Sequence, residues 1–222
     1  MLKEAGERYV DASRIARDLG RHDEYEVHKD KAISIFKAVL KDAALMIASG
    51  LQVKGATEIA IKIGIIGPEF TIKFDVATLA QEALNAAQNM PLTPIPVTKG
   101  GFEMPKTLDV ADLNGAIASA EKFDSLNRHT DAGEAYMRAA YIAKGLGMKD
   151  ESRNHMQKAG SIMSSKFYKD AVFLLENMPL GTMKTISAGI QIFNTGIEVT
   201  FDVTAMLQYM QGQLKNVLPP PQ

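Results

Sequence analysis

The chain contains no cysteine and no tryptophan among its 222 residues. The lack of cysteine excludes a disulfide framework, thiolate zinc sites and thiol catalysis. Its 25 basic and 26 acidic side chains nearly balance, so the sequence has no concentrated positive charge of the kind that non-specific nucleic-acid binding requires. We therefore expect no nucleic acid among its partners.

Long uncharged apolar runs are also missing. No stretch reaches the roughly 18 apolar residues of a membrane-spanning helix, and the most apolar region, 59–76, is interrupted by Lys62 and Pro68. The first residues carry Glu4 and Glu7, and no apolar segment typical of a signal peptide follows them. These features predict a cytoplasmic protein.

Motifs of catalysis and nucleotide binding are absent too. The sequence contains neither a glycine-rich phosphate-binding loop nor the G-x-S-x-G turn that carries a nucleophilic serine. Acidic side chains occur as sequence neighbours on predicted exposed helix faces, where nothing would perturb their pKa values. We therefore expect a non-enzymatic protein that needs no cofactor.

The strongest positive signal is an internal duplication. A shift of 127 residues aligns Ala5-Gly6-Glu7 with Ala132-Gly133-Glu134, Leu19-Gly20 with Leu146-Gly147, and Phe74-Asp75-Val76 with Phe201-Asp202-Val203. One offset that holds over about seventy residues is typical of a repeat architecture. The sequence therefore predicts two tandem copies of one unit.

Proline-containing stretches end both copies. Proline fixes φ and removes a backbone donor, so these stretches are predicted to lie outside helices. The resulting division is a first repeat unit at 1–90, a linker at 91–107, a second unit at 108–218 and a proline-rich tail at 219–222. The second unit also has an additional amphipathic stretch, 109–127, for which the first unit has no counterpart.

Each copy begins with a predicted pair of antiparallel helices. In the first copy, small and apolar residues recur every three or four positions, at Ala5, Tyr9, Ala12, Ala16 and Leu19. The second copy repeats them at Ala132, Tyr136, Ala139, Ala143 and Leu146. Such spacing predicts one buried helix stripe, and Gly20 and Gly147 stand where a glycine would end each helix.

The second of these helical pairs resembles a tetratricopeptide-type repeat. The positions that carry the resemblance are Ala135-Tyr136, Ala139-Ala140, Ile142-Ala143 and Leu146-Gly147, followed by Glu151 and Lys158-Ala159. The resemblance covers 109–163 and extends to 2–36 in the first copy. It implies a helical scaffold that binds proteins and performs no catalysis.

An Ile/Phe-rich segment follows each helical pair. Apolar residues alternate with polar ones at Ile59, Ile61 and Ile63, at Phe70, Ile72 and Phe74, and at Ile197, Val199 and Phe201. A period of two predicts strands, and turns at 67–68 and 194–196 would make each segment a β-hairpin. The spacing of Ile72, Val76 and Leu79 also fits a helix, so the fold is predicted as mainly α, with β-hairpins or with an all-α repeat as the alternative.

Two-stranded hairpins with an apolar face need to be covered. A hairpin alone is not stable, and an uncovered apolar face is normally closed by a partner, often a second copy of the chain. The predicted contact residues are Tyr9, Tyr136, Phe70, Phe74, Ile197 and Phe201. The expected function is a protein-interaction or assembly module that binds a protein, foremost itself; binding of an apolar ligand or a membrane surface is the alternative.

Two histidines pair with glutamates at helical spacing. Glu24 and His28, like Glu151 and His155, lie four residues apart and share a helix face. Carboxylate and imidazole groups can bind a metal, but zinc requires at least three protein ligands, and no third ligand is spaced nearby. The pairs are therefore interpreted as helix-stabilising contacts and only secondarily as metal ligands.

Overall fold

The computed structural model describes residues 2–48, 51, 54–63, 70–86, 109–177, 183–192 and 195–217. The first half contains helices α1 (Leu2–Asp18) and α2 (His22–Ala48), strands β1 (Ala56–Ile63) and β2 (Thr71–Asp75), and helix α3 (Val76–Ala86). The second half contains helices α4 (Val110–Ser125), α5 (His129–Gly145) and α6 (Lys149–Asn177), strands β3 (Thr185–Ile192) and β4 (Thr195–Asp202), and helix α7 (Val203–Val217). The chain is mainly helical with a small antiparallel sheet.

Helices α1 and α2 pack together as one pair, and α5 and α6 as another. Each pair is joined at a glycine in the left-handed region, Gly20 at φ +71° and Gly147 at φ +80°. At the first junction the Gly20 amide donates to the Arg17 carbonyl and the Arg21 amide to the Ala16 carbonyl. These two bonds satisfy carbonyls that the helix end would leave unpaired, and the predicted helix ends are confirmed.

Two glycines let the paired helices approach closely. A Cβ atom placed on Gly133 would lie 3.0 Å from Met163 Cγ of the facing helix α6. On α1, a Cβ atom on Gly6 would lie 2.9 Å from the Phe36 ring of α2. Interior packing is dense enough that such contacts leave no room for a methyl group.

The Ile/Phe-rich segments form strands, and the all-α alternative is wrong. The four strands pair antiparallel in the order β2-β1-β4-β3. Ile59 stands opposite Phe74 in the first hairpin, and Ile186 stands opposite Phe201 in the second. The helical spacing arose because each hairpin runs directly into a helix, at Val76 and Val203.

Several predicted turns and boundaries fall wholly or partly on residues that the structure does not describe. The turn at 67–68, the linker at 91–107 and the tail at 219–222 lie outside the described residues. Of the second predicted turn, Thr195 and Gly196 belong to strand β4.

One hydrophobic cluster joins the two halves of the chain. It includes Phe36 and Leu40 from α2, Phe167 from α6, and the inward-facing side chains of the four strands. The opposite face of the sheet is polar, with ion pairs between Lys62 and Glu198 and between Lys73 and Glu58. This alternation gives the sheet one buried and one polar face. No helix in the described part of the chain is long and apolar enough to cross a membrane.

The predicted amphipathic stretch 109–127 forms helix α4, which packs on α5. It begins at a capping box in which the Asp112 amide donates to the Asp109 carboxylate over 2.8 Å. A turn through Asn127, at φ +57°, then leads into α5. Leu113 and Ala116 of α4 form a second, smaller core with the outer face of α5.

Candidate functional site

Two large apolar side chains are exposed at the C-terminal end of α1. Ile15, in the last turn of the helix, is 61% exposed, and Leu19, directly after the last helical residue Asp18, is 63% exposed. The Leu19 amide donates to the Ile15 carbonyl, which places the two residues one turn apart. Ala12, one turn before Ile15, is half-buried. We call Ala12, Ile15 and Leu19 the outer face of α1.

The opposite side of α1 is fully packed. Val10, Ser13 and Ala16 are buried, and the Ser13 hydroxyl donates to the Val10 carbonyl over 2.7 Å, so it needs no partner from outside α1. Helix α1 therefore has one apolar side packed on α2 and a second side on which Ile15 and Leu19 remain largely exposed.

The aligned positions on α5 are covered. A shift of 127 residues places Ile15 on Ile142, which is 2% exposed, and Ala12 on Ala139, which is fully buried. Leu19 aligns with Leu146, which packs against the edge of the small core between α4 and α5. The contrast is produced by α4, since α1 has no such helix over it within the described residues.

The charged residues beside the outer face differ between the two helices. Beside α4, the groove of ≈ 540 Å³ on α5 is lined by Asp131, Glu134 and Arg138. On α1, Arg14 and Asp11 approach to 4.0 Å at the edge of the outer face. Arg8 is exposed where α5 has the buried Ala135, so α1 presents a cation at a position where α5 has none.

The two predicted contact tyrosines pack against histidines within the chain. The Tyr9 ring lies 6.0 Å from the His28 ring, and the Tyr136 ring lies 6.2 Å from the His155 ring. Lysine ammonium groups lie over both tyrosine rings, at 5.4 Å from Tyr9 and 5.3 Å from Tyr136. Tyr136 is buried, and burial raises the pKa of its phenol.

The four predicted contact residues of the hairpins lie in the core. Phe70, Phe74, Ile197 and Phe201 are all buried. The hairpins cover their apolar faces within the chain, because β1 pairs with β4 and the joined sheet packs on the helices. These side chains therefore present no surface to a partner.

The glutamate-histidine pairs have other neighbours. Glu24 forms an ion pair with Arg21 at 3.4 Å, and His28 contacts Tyr9. His155 is buried, with its Nδ1 atom unpartnered, and Glu151 is exposed. Within the described ranges, no group of three or more His, Cys, Asp or Glu side chains could hold a metal ion.

Ile15 and Leu19 were not singled out by the sequence reasoning. Leu19 belongs to the stripe that is predicted to be buried, and Ile15 is not part of that stripe. The available signal was the stretch 109–127, whose amphipathic pattern predicts a helix that can cover a neighbouring apolar face.

Acidification is expected to destabilise the fold through His155. Burial first, and then the nearby Lys158 cation, lower the pKa of His155 below its ordinary value of 6.5, while Glu151 and Glu121 partly oppose this. The folded state therefore prefers the neutral imidazole, and the unfolded state binds more protons below pH 6.5. This contribution to stability is fully present above pH 6.5 and is lost as the pH falls toward the folded-state pKa.

The check is the melting temperature of the parent and of His155→Gln, measured between about pH 7.5 and about pH 5. The parent is expected to lose more of its melting temperature over this range than the variant does. Parallel curves for the two proteins would contradict the assignment.

Comparisons with protein-family models, with curated proteins and with solved structures give no match for the chain. The function is therefore inferred from the geometry. Ile142 and Leu146 pack in the small core with α4, whereas the aligned Ile15 and Leu19 are exposed.

Proposed function

We propose that this chain is a non-enzymatic protein-interaction module whose docking surface is the outer face of α1. The observation that carries the proposal is the exposure of Ile15, at 61%, against 2% for the aligned Ile142. Fully burying a leucine or isoleucine side chain is worth about 1.5–3 kcal/mol. A partner that covers Ile15 and Leu19 together would gain a substantial part of a micromolar affinity.

The proposed occupant is an amphipathic helix with the chemistry of α4. On α5, Leu113 of α4 is buried, and the small Ala116 and Ala120 let the two helices approach closely. The outer face of α1 has the small Ala12 at the position aligned with Ala139, so the same close approach is sterically allowed there. The exposed Arg8 favours a partner helix that carries an acidic residue beside it.

The docking helix is proposed to come from another protein. Helix α4 of the chain itself lies on α5, where its Leu113 and Ala116 are already buried. If α4 moved onto α1, the apolar face of α5 would become exposed, and no additional apolar surface would be buried.

An internal duplication is part of the proposal, because it makes α1 and α5 equivalent. The first residues of α1 and α5 are 127 positions apart, as are those of α2 and α6 and those of α3 and α7. The hairpin registers also correspond, since Ile61 opposite Ile72 becomes Ala188 opposite Val199 under the same shift. The packing of α4 on α5 and of α5 on α6 supports kinship with tetratricopeptide-type scaffolds, which bind proteins through helices.

Binding of an apolar ligand or a membrane surface, the other function considered, depends on exposed Ile/Phe-rich segments. The buried positions of Phe70, Phe74 and Phe201 give that function no support.

The test uses a synthetic peptide of residues 109–127 as the probe for the full chain. Fluorescence anisotropy of the labelled peptide is expected to show saturable binding, and Ile15→Asp is expected to weaken it at least about tenfold, equivalent to about 1.4 kcal/mol. The matched control is Phe173→Asp, because Phe173 is likewise a large apolar side chain, 64% exposed, but on α6. Circular dichroism of both variants verifies the fold.

Two results would overturn the proposal. One is the lack of saturable binding to the parent chain. The other is binding that Ile15→Asp leaves unchanged, because the peptide would then lie elsewhere, for example in place of α4 on α5.

A further inference from the structure

The two outer strands of the sheet, β2 and β3, each have one edge that no described strand occupies. An edge strand presents a row of backbone N–H and C=O groups that can pair with another strand. Natural proteins usually protect such edges with charged side chains, proline or bulges. The two edges of this sheet carry little of that protection.

Strand β3 is eight residues long and contains neither a charged residue nor a proline. Strand β2 carries Lys73 and Asp75, but both are engaged within the chain. The Lys73 ammonium lies 3.0 Å from the Glu58 carboxylate on the neighbouring strand, and the Asp75 carboxylate accepts hydrogen bonds from Thr78. Lys73 therefore pairs toward β1, on the side away from the free edge, and the Asp75 carboxylate bonds to the first turn of α3.

The pairing of β1 with β4 within the chain is an example of how these two edges can pair. Under the shift of 127 residues, β3 corresponds to β1, and β2 corresponds to β4. The free edge of β3 is thus equivalent to the edge of β1 that pairs with β4, where Ala60 stands opposite Glu198 and Ile59 opposite Val199. The free edge of β2 is equivalent to the other side of that same contact.

We propose that β3 of one copy pairs antiparallel with β2 of a second copy, which continues the sheet from chain to chain. The contact joins two different edges, so it is head-to-tail and builds rings or filaments instead of a closed two-fold dimer. The inference rests on the proposed duplication but is independent of docking at α1.

The register of the contact follows from the β1–β4 pairing. Ser187 faces Thr71 of the next copy, Ile186 faces Ile72 and Thr185 faces Lys73. Ser187 and Thr71 then lie on the polar face of the extended sheet, while Ile186 and Ile72, both buried, continue its apolar face. Each pairing matches the polarity of the two side chains, and no like charges face each other.

Cysteine cross-linking tests the register directly, because the chain has no cysteine of its own. In the double variant Ser187→Cys/Thr71→Cys, the two sites of one chain stand three strands apart and four residues out of register. Their separation of roughly 19 Å is too far for a disulfide. Mild oxidation is therefore expected to produce a ladder of dimers, trimers and larger species on a non-reducing gel.

Two double variants serve as controls. Ser187→Cys/Thr200→Cys is expected to form a disulfide within one chain, because the two hydroxyls lie 3.1 Å apart in the hairpin; this verifies that the Ser187 site can be oxidised. Gln191→Cys/Thr71→Cys keeps both thiols but moves one by four residues, roughly 13 Å, and is expected to give no ladder.

The inference is overturned if the first variant gives no ladder while the hairpin control is oxidised, or if the displaced pair gives an equal ladder. It is also overturned if light scattering shows the parent chain at its monomer mass of 24.2 kDa at tens of micromolar. Adding Ile15→Asp to the first variant should leave the ladder intact. Lack of the ladder together with intact peptide binding would contradict this inference alone. A ladder without peptide binding would contradict docking at α1 alone.

Discussion

Replacing Phe201 with alanine is expected to lower the free energy of unfolding by about 3–5 kcal/mol, the usual cost of truncating a buried phenylalanine. Phe201 is fully buried on β4, a central strand. It stands opposite Ala56 of β1 and Ile186 of β3, and so contributes to the cluster that joins both halves of the chain. The truncation leaves a cavity at the point where the two hairpins meet.

Urea denaturation followed by circular dichroism measures this loss. The matched control is Phe173→Ala, since Phe173 is highly exposed on α6 and substitutions at such positions usually change stability by less than about 0.5 kcal/mol. Equal effects of the two truncations would show that Phe201 does not lie in the core.

Replacing Ala139 with leucine is expected to cost about 1–3 kcal/mol by overpacking, whereas Ala12→Leu is expected to cost less than about 0.5 kcal/mol. Ala139 is fully buried beneath α4, in contact with the small core that includes Leu113 and Ile142. Ala12 occupies the aligned position on α1 but is only half-buried. The larger leucine side chain therefore overpacks the buried site on α5, whereas on α1 it can extend toward solvent from a half-buried site.

Thermal or urea melts of the two variants provide the comparison, with the parent chain as the reference. Because both residues are helical alanines with the same replacement, differences in helix propensity cancel. A large loss for Ala12→Leu would mean that the outer face of α1 is already covered, and a negligible loss for Ala139→Leu would mean that α4 does not pack there.

The elements set by local chemistry could be predicted from the sequence. Gly20 and Gly147 end their helices because only glycine adopts a positive φ without cost. The alternation of Phe70, Ile72 and Phe74 predicts a strand with one buried face, which is what β2 forms. The stretch 109–127 was predicted as amphipathic and forms α4, Val110–Ser125.

The pairing of β1 with β4 could not be predicted in the same way. Periodicity reports that a strand has an apolar face but not which surface covers it, and the hairpins could have paired with each other, lain only on helices or met a second chain. Residues about 140 positions apart, such as Ile59 and Val199, decide this through many weak contacts. Phe74 and Phe201 were therefore expected at a contact with a partner and are found in the core.

The candidate site could not be predicted from the sequence for the same reason. The stripe that ends at Leu19 on α1 and at Leu146 on α5 is nearly identical in sequence, so the pattern alone predicts equal burial. The exposure of Ile15 results from what is packed on α1, not from α1 itself. Helix α4 packs on α5, and within the described residues no such helix packs on α1.

The most direct test of docking on α1 is methyl NMR of the chain labelled at isoleucine and leucine, during titration with the 109–127 peptide. The account predicts that the methyl signals of Ile15 and Leu19 shift progressively and saturate, while those of Ile142 and Leu113, already buried between α4 and α5, stay in place. Unchanged signals of Ile15 and Leu19 at peptide concentrations that saturate binding would contradict it, as would shifts confined to Ile142 and Leu113.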